Sequence, residues 1–196
     1  MRRLPSLALV SLLLASALPS PLFAEPAFIT ATDGSTLVHS ASGTRFPRTL
    51  AGFERSGEAA LDPGGDYIGV AYRHALADGE PLTLRIAVVH VEGTSPKEHF
   101  IIAKPMALNG LTDVTTLSEG TYQRSGKGAD GYLGIYNARD GERRIGVGLW
   151  TFDRGYWDLR GRVEFPTGKR DEAQAAVDAF VDAFVALGQP YIVPAK

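Results

Sequence analysis

The sequence predicts an α+β fold: an antiparallel sheet of hairpins plus a meander, with a long C-terminal helix on one face, the whole arranged as an α/β/α sandwich. Three observations predict it. Two alternating apolar runs, Tyr67–His74 and Leu82–Val91, are separated by Asp78-Gly79-Glu80. The stretch Gly131–Phe165 also alternates and is broken only at Asp140-Gly141 and Asp153-Arg154-Gly155, so it reads as three strands joined by tight turns. Asp171–Leu187 places Ala173, Val177, Phe180, Val181, Phe184 and Leu187 at i, i+3, i+4 spacing, the stripe of an amphipathic helix.

The first residues read as a targeting segment. Arg2 and Arg3 precede the apolar run Leu7–Leu18, whose twelve residues fall short of the ~20 that a membrane span needs. A basic start, a short apolar core and a small-residue exit describe a secretory signal peptide. Cleavage is expected after Ala24, with Ala17 as a second position and an uncleaved anchor as the alternative. Removing those 24 of the 196 residues leaves 172 and takes the formal charge from −2 to −4. Residues 25–196 are then expected to form a single α+β domain, periplasmic or secreted, with no transmembrane segment after cleavage.

Composition narrows the function classes. The chain contains no cysteine, which excludes disulfides, thiolate metal sites and cysteine nucleophiles. A pI near 6.1 argues against a nucleic-acid partner. The 44% hydrophobic and 21% charged content fits an ordinary globular domain.

Along the remaining chain, Asp33-Gly34 between Phe28–Thr30 and Thr36–His39 signals a hairpin. In the first long pair, Ile68, Val70, Tyr72 and His74 share one side, as do Leu82, Leu84, Ile86, Val88 and His90 on the partner. Ser95 and Pro96 read as N-cap and first residue of a short helix over Lys97–Lys104, closed by Pro105 and Asn109-Gly110. A strand is expected around Val114–Leu117. Asp171 and Glu172 suit the start of the last helix, where its dipole favours anions, and Gly188 and Pro190 stop it.

The meander carries the most specific expectation. A two-residue turn at Asp140-Gly141 sets Arg139 against Glu142 and Tyr136 against Ile145. A three-residue turn at Asp153-Arg154-Gly155 sets Phe152 against Tyr156 and Leu149 against Leu159. One face then holds Tyr132, Tyr136, Ile145, Val147, Leu149, Trp157, Leu159, Val163 and Phe165 as core. The other holds Leu133 and Ile135, then Arg144, Gly146, Gly148, Trp150 and Phe152, with Tyr156, Asp158, Arg160, Arg162 and Glu164 on the last strand. Gly148 is expected beside Arg160, and Gly146 beside Arg162. Strand-interior glycines often mark the close approach of another group, and arginine grips carboxylate or phosphate bidentately. Trp150, Tyr156, Arg160, Arg162, Gly146 and Gly148 are therefore the candidate ligand- or partner-binding residues, for an unknown protein or a small anionic or aromatic ligand. The alternative is that a helix covers this face, with the glycines making room for it.

No catalytic, metal or cofactor site is expected. Gly126-Lys127-Gly128 departs from phosphate-loop spacing and lacks the following Ser or Thr. G-x-S-x-G, H-E-x-x-H and EF-hand patterns are absent from the sequence. His74 and His90 share a face but sit at opposite ends of their hairpin, about 20 Å apart at ~3.3 Å per residue. Asp158 and Glu164 are separated by a similar span, beyond the ~5–10 Å of a glycosidase pair.

The order of elements carries a weak resemblance. Phe46-Pro47 and Gly52-Phe53 precede the first main strand; paired strands, a short helix and a meander follow; and Val163-Glu164-Phe165-Pro166 leads into the final helix. This order resembles the PsbP-like α/β/α modules, which are exported in bacteria and occur in photosynthetic lumens. The Phe28–His39 hairpin lies outside that pattern. The resemblance implies a binding or assembly module rather than an enzyme, and it assigns no individual residue. The leading expectation is thus a non-enzymatic exported module. The alternatives are a small cofactor-independent enzyme with a loop-built site near Arg124, Tyr132 or His99, and a purely structural envelope protein.

Overall fold

The computed structural model describes residues 26–91, 93–123, 130–153 and 155–187. The expected signal segment, Arg124 and the Gly126-Lys127-Gly128 turn lie outside them. Strands β1 (Phe28–Thr30), β2 (Leu37–His39) and β3 (Arg45–Phe46) form a small antiparallel sheet. Its first turn is held by the Asp33 carboxylate, which accepts from the Ser35 and Thr36 amides at 2.8 and 2.7 Å. The main sheet contains β4 (Thr49–Leu50), β5 (Phe53–Ala60), β6 (Tyr67–Ala75), β7 (Pro81–His90), β8 (Thr112–Gln123), β9 (Asp130–Asp140), β10 (Arg143–Asp153) and β11 (Trp157–Pro166). Their spatial order is β4-β5-β6-β7-β11-β10-β9-β8, antiparallel throughout.

Helix α1 (Pro96–Ala107) lies against β9, β10 and β11 on one side of the sheet. Its start is a capping box: Ser95 Oγ accepts from the Glu98 amide, and the Glu98 carboxylate accepts from the Ser95 amide. The helix continues past Pro105, where it was expected to close. Proline removes one amide donor from the last turn, but the Leu108 amide still reaches the Lys104 carbonyl at 3.0 Å, so the turn is completed. Outside the core, Lys104 and the Tyr136 hydroxyl both meet the Glu119 carboxylate, at 2.5 and 2.6 Å, and fasten α1 to β8 and β9.

Helix α2 (Arg170–Ala186) covers the opposite side and buries Ala173, Val177, Phe180, Val181 and Phe184, the stripe that the periodicity predicts. Facing them are Ile68, Val70, Tyr72, Leu82, Leu84, Ile86, Val88, Trp150 and Phe152 in one continuous core. Each fully buried large apolar side chain contributes about 1.5–3 kcal/mol. A second core under α1 is built from Phe100, Ala103, Tyr136, Val147 and Leu149. The fold is therefore α+β, with helices on both faces.

The meander register differs from expectation at both turns, and at the second the difference reverses the faces. Between β9 and β10, Asp140 opposes Arg143 and Tyr136 opposes Val147. That is two residues from the expected alignment, so each side chain keeps its face. Between β10 and β11, Asp153 opposes Asp158, leaving four residues, 154–157, in the connection where three were expected. An odd change reverses parity. Gly146 now faces Phe165, and Gly148 faces Val163. The β11 residues Trp157, Leu159, Val163 and Phe165 share the α2 side with Trp150 and Phe152, while Asp158, Arg160, Arg162 and Glu164 share the α1 side with Val147 and Leu149. Both faces of the meander are thus buried, and Asp158, expected at low burial beside a core Trp157, is itself 0% exposed.

Candidate functional site

The six residues expected to form one recognition face are divided between two sides of the sheet. Trp150, Gly146 and Gly148 lie in the α2-side core. A Cβ on Gly146 would overlap the Phe165 ring, and one on Gly148 would come within 2.8 Å of Trp150 Cη2. Those glycines make room for aromatic rings rather than for a ligand or a helix. Tyr156 is 54% exposed and stands apart from Trp150, which is buried. Arg160 and Arg162 point to the α1 side, and there they do meet a concavity.

That concavity follows from how the two helices share the sheet. Helix α2 spans its side broadly, whereas α1 covers only β9–β11. On the α1 side β5, β6 and β7 carry no helix, and their outward residues alternate with the α2-side core. Pairing brings Gly57 opposite Ala71 and Ala59 opposite Gly69. Gly69 in turn opposes Ala87, and Ala71 opposes Arg85. Five small residues on three adjacent strands make the floor of a groove of about 440 Å3. Leu61 and Glu58 stand at the β5 end, Met106 and Ala107 of α1 form one wall, and Tyr67, Arg85, Arg160 and Arg162 complete it.

The charge arrangement is uneven. Arg85 on β7 lies directly opposite Arg162 on β11, and Arg160 lies opposite Ala87, one pair along on the same face. Like charges directly opposite each other destabilise a strand pair. Arg162 is compensated: Nη1 meets Glu164 Oε1 at 2.6 Å, and Nε donates to the Ala107 carbonyl at 2.8 Å. Arg160 has neutral partners. It donates to the Tyr67 hydroxyl, packs 5.5 Å from the Tyr67 ring centroid, and touches Met106 Sδ at 4.0 Å. Arg85 is exposed, and among the described residues it has no carboxylate partner. Two guanidinium groups therefore face the groove without an ion-paired carboxylate, the groove's own acid, Glu58, standing at the β5 end.

His39 and His90 pack against the same Trp157 ring, and His74 and His99 lie elsewhere. His39 is fully buried, with Nε2 2.8 Å from the Gly65 carbonyl, Nδ1 2.7 Å from Ser42 Oγ, and Trp157 edge-on to its ring. A carbonyl only accepts, so Nε2 carries the proton in this arrangement. Burial pushes the His39 pKa down, against opposing pulls from Gly65, Asp66 and Asp62. His74 stacks on Phe53, and His90 packs on Trp157. His99 Nδ1 lies 2.7 Å from Asp158 Oδ2 beneath α1, with side-chain exposures of 6% and 1%; the contact is close but lacks hydrogen-bond alignment. Among the described residues no group of three or more His, Asp or Glu is placed to hold a metal ion.

Arg85, Tyr67 and the small-residue floor are not among the residues expected from the sequence to bind. A signal was present: with Ile68, Val70 and Tyr72 assigned inward, their neighbours Gly69 and Ala71 are unusually small for a solvated face. The parity of β7 likewise sends Arg85 and Ala87 outward together.

No protein-family model and no curated protein matches the chain. Among solved structures, a Pseudomonas aeruginosa protein of unknown function is 12% identical at a TM-score of 0.46, covering 83% of this chain and 99% of that one. Cyanobacterial PsbP from Synechocystis is 13% identical at a TM-score of 0.41, covering 69% and 92% respectively. The weak resemblance to PsbP-like modules read from element order recurs, equally weak, in this comparison. No described helix is long and apolar enough to cross a membrane.

Proposed function

We propose that the protein is an exported binding module whose ligand site is the groove over β5–β7 and whose ligand is an anion. The observation that carries this reading is Arg85 placed directly opposite Arg162, with Arg160 beside them and only one of the three ion-paired. A bound carboxylate or phosphate offsets that repulsion, and a hydrogen bond to a charged group is worth about 1.5–3 kcal/mol. The groove volume of about 440 Å3 falls in the ~300–1,000 Å3 range of ligand pockets, which counts against a purely structural role. The enzyme alternative finds less support. His99 is enclosed under α1, and Tyr132 packs against Phe100 at 4.8 Å between ring centroids, so neither faces the groove. Export rests on Arg2, Arg3 and the apolar run Leu7–Leu18.

Calorimetric titration of the mature protein with inorganic phosphate at low ionic strength tests the anion site. Binding that weakens at least tenfold in the Arg85→Gln plus Arg160→Gln variant, and is unchanged in Arg48→Gln, supports it. Absence of binding to the wild type, or equal binding by the double variant, contradicts it. N-terminal sequencing of protein from its native envelope tests export; the expected first residue is Glu25.

A further inference from the structure

We propose that the groove takes an amphipathic anion, a carboxylate or phosphate head on a single apolar chain, with the head at Arg85 and Arg160 and the chain on the floor of Gly57, Ala59, Gly69, Ala71 and Ala87. The inference rests on the anion reading above and goes beyond it to the body of the ligand. Its basis is the position of the cations relative to the floor. The guanidinium groups stand at one end, on β7 and β11. From there the floor runs across β7, β6 and β5, two strand spacings or about 10 Å, and presents no polar side-chain atom. Its rims are exposed large apolar side chains, Leu61 at 50% and Met106 at 59%. On α1 the exposure continues through Ile101 and Ile102, 59% and 65% exposed. A wholly polar anion would leave this surface wet; a wholly apolar ligand would leave the guanidinium groups uncompensated. Only a molecule with both parts satisfies the whole groove.

Small residues leave the floor open. Gly57 has no heavy atom within 4 Å of where a Cβ would stand, and its φ is not in the left-handed region. Gly57 ends the irregularity in the β5–β6 pairing after Arg55, and a side chain placed there would project into the open groove. Ala71 on β6 faces the same space.

Titration calorimetry with inorganic phosphate and with butyl, hexyl, octyl and decyl phosphate, each kept below its micelle concentration, reads head and chain separately. Affinity in the wild type is expected to rise with chain length, by up to about fourfold per methylene, and to level off when the floor is filled. Gly57→Leu, and Ala59→Leu as a second plug should the first fail to fold, lie on β5, two strands from Arg85, and should flatten that rise, read relative to each variant's own affinity for inorganic phosphate. Arg85→Gln plus Arg160→Gln should weaken every member of the series at least tenfold. Decyltrimethylammonium, with the same chain and the opposite charge, should not bind. If affinity is independent of chain length while phosphate still binds, the amphiphile inference is overturned and the anion site stands. If decyltrimethylammonium binds as tightly as decyl phosphate, or if no member of the series binds, both fall. Co-sedimentation with phosphatidylglycerol vesicles that Gly57→Leu does not reduce, in place of binding to the free phosphates, would also overturn it by assigning the anion to a bilayer surface.

Discussion

Strands β5, β6 and β7 present two opposite surfaces made by the same residues read in alternation. On the α2 side, Ile68, Val70, Tyr72, Leu84 and Ile86 are large, at most 7% exposed, and packed under Phe180 and Phe184. On the α1 side, Gly57, Gly69, Ala71 and Ala87 leave a concavity edged by cations. One surface is closed by its own chain, and the other has the shape and charge of a surface closed by something else. The difference teaches that side-chain size, rather than polarity alone, separates a packing face from a receiving face. A solvated strand face is ordinarily built from long polar residues, whereas here it is built from the smallest ones.

The largest expected effects lie on the closed side. Trp150→Ala removes a ring that is 1% exposed and should cost about 3–5 kcal/mol in denaturant melts, as other buried aromatic truncations do. A loss below 1 kcal/mol would mean that the β10–β11 register is misassigned. Gly146→Val should follow at about 1–3 kcal/mol or more, because the new side chain must displace Phe165 from a packed interior. Asp158→Ala, which exposes nothing to solvent and strips His99 of its contact, should cost about 1–3 kcal/mol. The register first expected from the sequence would have made that substitution nearly silent.

An intermediate effect distinguishes burial from ligation at His39. Its folded pKa lies below that of the unfolded chain, mainly through desolvation. The unfolded state therefore takes up the proton first, and the stability tied to neutral His39 is full above the unfolded value of about 6.5. It is lost as pH falls from there through the folded pKa. Urea melts at pH 8 and pH 5 should show lower stability at the acid end, and His39→Gln should reduce that difference. An unchanged pH dependence in the variant would place the titrating group elsewhere.

The smallest effect belongs to the open side. Arg85→Gln should leave stability within about 0.5 kcal/mol of the wild type, or raise it slightly, since it relieves the repulsion with Arg162. A clear loss of stability would mean that Arg85 is a structural residue and that the two surfaces are less different than they look.

The fold was legible in the sequence wherever period and punctuation agreed. The stripe Val177, Phe180, Val181, Phe184 identified α2, Ser95 with Pro96 after it started α1, and the Asp78-Gly79 break separated β6 from β7. The candidate site was only half legible, and the reason is arithmetic. Alternation assigns faces within a strand, but the relation between two strands depends on the parity of the turn. One additional residue between Asp153 and Asp158 moved Arg160 and Arg162 away from Gly146, Gly148 and Trp150. Of the six residues singled out, only Arg160 and Arg162 line the groove. Their true neighbours, Arg85 and Tyr67, come from a hairpin more than sixty residues earlier, and no local pattern joins the two. That α1 stops short of β7 depends on helix placement, which periodicity does not encode.

The central claim is that the α1-side surface of β5–β7 is a receiving face for an anion. Nuclear magnetic resonance mapping with inorganic phosphate tests it most directly, by following the arginine Nε–H signals and backbone amides of the mature protein. The account predicts saturable shifts at Arg85 and Arg160 and at the amides of Ala71 and Ala87, with Val177, Phe180 and Phe184 of α2 unmoved. Shifts that centre on Arg48, Arg143 or Arg170, or that fail to saturate at any of the groove arginines, would contradict it.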